Sequence, residues 1–272
     1  LEAQVGTRLF ERDTRKVALT PEGELFAEAA RSLIAEIESA FENMADYVAR
    51  RRGRVSIAAL PSLAATVLPR VIAEYRRRYP GVAVSLHDAL SDPCLSLLRA
   101  GSADLALTAA GPKAAEFDAR TLLSDPFYVV CRRDHPLARK KTVRPAELAG
   151  EELVHLAKSS SVRQHVDVLL GNAAARDSGF DVEHLATAAG LVKEGLGVCL
   201  VPELTLYQFR QLDLVAIPLK SSHKRPILLV KRKDQSLSLA AQAMLELIEE
   251  VAKGGWRGGE NAASATQITS RA

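Results

Sequence analysis

The 272-residue chain is poor in cysteine and has no apolar run long enough to cross a bilayer. Cys94, Cys131 and Cys199 are odd in number and far apart, which argues against a disulfide framework or a paired metal site and suits a reducing cytoplasm. No run of 18 apolar residues and no signal-peptide pattern occurs, so no membrane association is expected. The chemistry of known enzymes is also missing: there is no G-x-S-x-G, H-E-x-x-H, Walker loop or C-x-x-C. The six histidines, at 87, 135, 155, 165, 184 and 223, lack metal-ligand spacing, and His135 before a proline reads as a turn residue. Gly195-x-Gly197 lacks the third glycine of a dinucleotide fingerprint and runs into an apolar segment closed by Pro202. We therefore expect no catalytic residue, no metal and no cofactor.

A basic surplus is equally absent. The net charge is +3, and residues 1–51 hold seven Lys/Arg against ten Asp/Glu. Positive charge is local, at Arg12, Arg15 and Lys16 and again at Arg50-Arg51-Arg52. With 47% hydrophobic and 25% charged residues, the composition is that of an ordinary globular chain of one large or two medium domains.

What the chain does have is a long helical stretch from Thr20 to Arg50. Threonine can cap the free N–H groups, Pro21 suits the first turn, and Glu22 sits at the positive end of the dipole. Such a helix would be roughly 45 Å long. Phe26, Ala30, Leu33, Ile37, Ala40, Met44 and Tyr47 alternate four and three apart, and Ile34, Phe41 and Val48 widen the seam. A core helix of the same chain could carry this stripe, but its length and sustained period favour a partner helix from a second copy. Leu33, Ile37, Phe41 and Met44 are the candidate dimerisation residues.

Upstream, Leu1 to Gly6 looks like the end of a helix, and Leu9-Phe10-Glu11-Arg12 and Val17-Ala18-Leu19 flank a polar hairpin tip. These segments, with Arg15 and Leu19-Thr20-Pro21-Glu22-Gly23, resemble the winged helix-turn-helix end and linker helix of a LysR-type transcriptional regulator. The resemblance starts part-way through the DNA-binding unit, so a fragment of a longer protein is expected. It implies that Arg12, Arg15 and Lys16 touch DNA.

After Arg50-Arg51-Arg52-Gly53, the pattern alternates. A strand at 55–60 precedes a single helix over Leu63–Tyr79 and a strand at 82–86, a βαβ unit. A helix at 93–100 and strands at 104–108 and 127–132 follow, separated by a loop rich in Ala, Gly and Pro. Further strands are expected at 152–156, 180–184, 197–201, 214–218 and 227–231. Helices are expected at 162–170, 186–194, 203–210 and 237–252, before a disordered tail. Gly53-Arg54-Val55-Ser56-Ile57-Ala58, Leu68-Pro69, Tyr79-Pro80-Gly81-Val82, Gly101-x-Ala103-Asp104-Leu105, Asp134-His135-Pro136-Leu137 and Gly195-Leu196-Gly197-Val198 extend the resemblance to about residue 252.

The implied fold class is α/β: a two-lobed, periplasmic-binding-protein-like effector domain preceded by a remnant of a winged helix-turn-helix and a long linker helix. The implied boundaries are 1–19 for the remnant, 20–52 for the linker and hinge, 53–252 for the effector domain and 253–272 for the tail. One lobe would comprise 53–124 and 225–252, the other 125–220.

Two serine clusters open helices, at Pro61-Ser62 and at Ser159-Ser160-Ser161, one per half. Each alone could be a simple cap; together they suit a cleft for a small polar or anionic molecule. By position the resemblance adds Leu63, Thr108, His155 and Val198 to Ser62, Ser160 and Ser161 as effector-binding residues. It implies DNA, a small effector, a homodimer or homotetramer and RNA polymerase as partners. A transport protein of the same fold is the competing reading, opposed by the linker helix, and an enzyme on that fold is a third.

Overall fold

The computed structural model describes residues 1–13, 16–48, 53–171, 175–210, 212–233 and 235–254, without the side chains of 12, 13, 16, 17, 40 and 42–48. A short helix α1 (Glu2–Val5) leads into the antiparallel hairpin of β1 (Phe10–Asp13) and β2 (Lys16–Leu19). The Glu2 carboxylate accepts from the N–H groups of Leu9 at 2.8 Å and Phe10 at 3.2 Å, tying helix end to hairpin. Next comes α2 (Pro21–Val48), 28 residues long. Thr20 caps it as its residue type demands: the Oγ1 accepts from Gly23 N at 2.9 Å and donates to the Arg8 carbonyl at 2.8 Å. Gly23 has a packing reason as well. A Cβ there would lie 2.0 Å from the Leu9 carbonyl oxygen, so only glycine lets the hairpin close onto the helix. The expected helix end at Arg50 and the hinge over 50–52 lie outside the described residues.

The faces of α2 divide by size. Ser32, Ala35 and Ser39 are half-buried against the following domain, whereas Leu33, Ile34, Ile37 and Phe41 are 59%, 56%, 55% and 73% exposed. The large apolar stripe therefore faces away from its own chain.

Beyond it run β3 (Gly53–Ala59), α3 (Pro61–Thr66), α4 (Leu68–Arg78), β4 (Val82–Asp88), α5 (Ser91–Arg99), β5 (Leu105–Ala109), β6 (Asp118–Asp125) and β7 (Phe127–Arg132). Then come β8 (Glu152–Leu156), α6 (Ser161–Leu170), β9 (Arg176–Val182), α7 (Leu185–Lys193), β10 (Cys199–Pro202), β11 (Leu214–Pro218), β12 (Arg225–Lys231) and α8 (Leu239–Lys253). The single helix expected over Leu63–Tyr79 is two helices, because Pro69 has no N–H to continue the ladder and the chain resets at Val67. The helix expected near 203–210 is a 3₁₀ turn, Glu203–Gln208. β6 was expected as loop; it is a mostly exposed edge strand, and its partner lies a hundred residues further on.

Five strands form one sheet in the order β4-β3-β5-β12-β6, with β3 parallel to β4 and β5, and β12 antiparallel to β5 and β6. The central strands are buried on both faces. α4 and α8 cover one side through Leu68, Val71, Met244 and Ile248, each worth about 1.5–3 kcal/mol when fully buried. Tyr75 Oη donates to the Ala240 carbonyl at 2.8 Å, joining these two helices. A second core gathers the antiparallel sheet β10-β7-β11, the parallel pair β8-β9, and α6 and α7. The chain passes between the two halves twice, at Pro126 between β6 and β7 and at 219–224 between β11 and β12.

Candidate ligand site at the strand crossings

The two crossings are chemically joined. Asp125 ends β6 and Arg225 begins β12, directly opposite each other in the antiparallel register. Arg225 Nη2 donates to the Asp125 carboxylate at 2.7 Å, and the two side chains are 2% and 1% exposed. The same Nη2 donates to Ser62 Oγ at 3.2 Å, at the start of α3. The second Asp125 oxygen accepts from Leu204 N at 3.2 Å, in the 3₁₀ turn that follows β10. The Asp125 carboxylate, paired with Arg225, thus ties the first half to the second through Leu204. Burial pushes the Asp125 carboxyl up and the Arg225 guanidinium down, and each charge opposes the other's shift. Among the described residues, Arg225 Nε is buried without a hydrogen-bond partner.

Two residues upstream, His223 Nε2 lies 2.8 Å from Nδ1 of His165 on α6. The His165 ring stands 6.3 Å from that of Phe127, at the start of β7. Burial, helped by the charges of His223 and Arg225, holds His165 down to about 4. One turn before His165, Ser161 is buried, and Ser160 caps α6 by accepting from Val162 N at 3.2 Å. Ser62 and the Ser160-Ser161 helix thus meet the same segment, 223–225, from opposite halves.

The other expected site residues fare differently. Leu63 is wholly buried in the core of the first half and Val198 in that of the second, so their side chains offer a ligand no surface. Thr108 is also fully buried, opposite Leu228 on β12, and its hydroxyl finds only the Ala109 carbonyl at 3.4 Å. His155 lies inside the second half on β8, its pKa lowered by burial and then by Arg163. A void of about 10 Å³ beside it has room for one water at most. In the hairpin, Arg15 and the side chains of Arg12 and Lys16 lie outside the described residues, as does the side chain of Met44 on α2.

Sequence reasoning missed Asp125, Arg225, His165 and His223. The signal was weak, because the pairs are 100 and 58 residues apart and meet only through the strand crossings. Among the described residues, no group of three or more His, Cys, Asp or Glu side chains could hold a metal ion.

The family profile described as LysR substrate binding domain matches residues 49–253. The chain belongs to the LysR family of transcriptional regulators. Among its relatives, the HTH-type transcriptional regulator YbhD of Escherichia coli (strain K12) is 31% identical over 250 residues, 91% of this chain and 79% of that protein. The hydrogen peroxide-inducible genes activator of Pectobacterium carotovorum subsp. carotovorum is 30% identical over 257 residues, 93% of this chain and 85% of the relative. The effector binding domain of QuiR, solved in complex with shikimate, shares the fold with a TM-score of 0.68 at 18% identity, covering 75% of this chain and 99% of that one. An α/β effector domain of the periplasmic-binding-protein-like fold follows α2. No helix of the described residues is long and apolar enough to cross a membrane.

Proposed function

We propose that this LysR-type regulator senses a small carboxylate or similar anion at the strand crossings and transmits its presence through α2 to DNA-binding heads in a cytoplasmic homo-oligomer. The observation that carries the reading is Arg225: a buried guanidinium with a free Nε, held by Asp125 and touching Ser62. Such a group in a dry site binds a planar anion far better than a surface cation does. Ser62, Ser160 and Ser161 supply hydroxyls and helix-terminal N–H groups from both halves. The ligand stabilises whichever arrangement of the halves it bridges.

On the same reading, residues 1–19 belong to a winged helix-turn-helix whose Arg12, Arg15 and Lys16 contact phosphate or the minor groove. Residues 20–52 form the linker, and Leu33, Ile37, Phe41 and Met44 pair with a second copy. RNA polymerase is a further partner at the promoter. The relative named as an activator of hydrogen peroxide-inducible genes invites a thiol-based reading. The three cysteines weigh against it: all are buried, with their thiols pushed up to about 12, where reactive thiolate is scarce.

The test is a thermal-shift screen of small organic acids, followed by titration of each hit against Ser62→Ala and Ser160→Ala. Loss of one hydrogen bond should weaken binding by about 0.5–1.5 kcal/mol, more where the ligand group is charged. A hit indifferent to both substitutions would move the site elsewhere and leave both serine loops as plain helix caps.

A further inference from the structure

A cavity of about 490 Å³ lies away from the strand crossings, between α2 and the first half of the effector domain. Its α2 wall carries Ser32, Glu36 and Ser39; the facing wall carries Arg99, Arg232 and Lys233. We propose that this cavity is a separate ligand site for a small phosphorylated or carboxylated polyol, one that holds α2 against the effector domain.

The argument rests on how the three cations are occupied. Arg99 pairs with Glu116 and stands 5.7 Å above the ring of Phe117, so its charge is spent within the wall. Lys233 Nζ donates to the Ala115 carbonyl at 2.9 Å and keeps two N–H donors. Arg232 is half-buried, yet among the described residues its guanidinium makes no hydrogen bond or ion pair. Glu36 and Asp104 act on it only through space, and Asp104 already accepts from Ser56 N at 2.7 Å.

Gly101 makes the room. Its φ of +70° is the left-handed conformation that favours glycine, and a Cβ there would lie 3.0 Å from Arg232 Nη1 and 2.8 Å from Ala35 Cβ. The guanidinium is thus seated between the α5–β5 turn and α2, at the floor of a cavity large enough for a small metabolite. Arg232 and Lys233 call for an anionic group. The Ser32 and Ser39 hydroxyls call for hydroxyls on the rest of the ligand, and the Glu36 carboxylate competes with its anionic group for Arg232.

Because one wall is α2 and the other the effector domain, a bound molecule adds contacts only when the two are packed together. Binding and packing are then linked, and the coupling is reciprocal. The site does not depend on the strand-crossing site, and Ser62 separates the two by experiment.

The experiment is calorimetric titration of the chain with glycerol 3-phosphate and, in a second arm, glycerate, at constant ionic strength. Saturable binding of one molecule per chain is expected from at least one probe; preference for the first assigns a phosphate, for the second a carboxylate. Arg232→Gln should weaken it about tenfold and Lys233→Gln less, while Ser62→Ala should leave it unchanged. If Arg232→Gln does not fold, Glu36→Gln on the α2 wall of the cavity serves instead, and removing that competing charge should tighten binding several-fold. No saturable heat from either probe up to about 10 mM would overturn the site, as would an affinity indifferent to Arg232 or, in the substitute variant, to Glu36.

Discussion

Asp125 and Arg225, a hundred residues apart in sequence, close at 2.7 Å on the two strands by which the chain passes between its halves. Both charges are out of water, so neither can lose its partner cheaply. Asp125→Asn leaves a buried guanidinium without its counter-charge and should cost about 3–5 kcal/mol. The double variant Asp125→Leu with Arg225→Met, apolar on both sides, should recover most of that loss. Urea unfolding of the three proteins decides it; a single variant as stable as the parent would remove the pair from any structural role.

Gly23 sets two magnitudes against each other. Glycine to alanine inside a helix ordinarily gains about 1 kcal/mol. Here the new methyl would meet the Leu9 carbonyl at 2.0 Å, an overpacking that costs about 1–3 kcal/mol. The net expectation for Gly23→Ala is destabilisation, with the hairpin displaced from α2. Thermal unfolding gives the sign, and a raised melting temperature would contradict the contact.

These relationships differ in how far the sequence discloses them. Thr20, Pro21 and the stripe through Leu33, Ile37 and Phe41 are local signals, and the helix and its outward apolar face follow from them directly. The alternation of strands and helices in the first half is legible for the same reason. β6 was not, because an edge strand with one buried residue carries no apolar period. Leu63 and Val198 look like site residues by position, yet each points into a core, a matter of side-chain direction that spacing cannot reveal. The Asp125–Arg225 pair and the His165–His223 contact are products of topology. Only the return of the chain through 219–224 brings them together.

The outward stripe of α2 makes its own prediction. Leu33, Ile34, Ile37 and Phe41 are apolar and exposed on a 28-residue helix, which is costly for a monomer and natural for a helix pair. Ile37→Asp would bury an unpaired carboxylate in that pair and should cost on the order of several kcal/mol of association. Sedimentation of the parent and the variant at equal concentration is the measurement. A lower mass for the variant is expected, partial loss included; an unchanged mass would mean that the chain associates through another surface.

His165 makes stability depend on pH, and the sign can be worked out. Its pKa in the folded protein is about 4, below the 6.5 of a free histidine, because burial and the neighbouring charges of His223 and Arg225 disfavour the imidazolium. Above about pH 6.5 the side chain is neutral in both states and its contribution is fully present. Between 6.5 and 4 the unfolded chain takes up a proton that the folded chain refuses, so stability falls as the pH falls through that window. Below 4 both states are charged and the loss is complete. His165→Asn keeps a group in the place of Nδ1 to meet His223 but cannot titrate. The urea midpoint of the parent should therefore drop between pH 7 and pH 5 by more than that of His165→Asn. Equal drops in the two proteins would assign the acid sensitivity to other groups and leave His165 a neutral packing residue at the crossing.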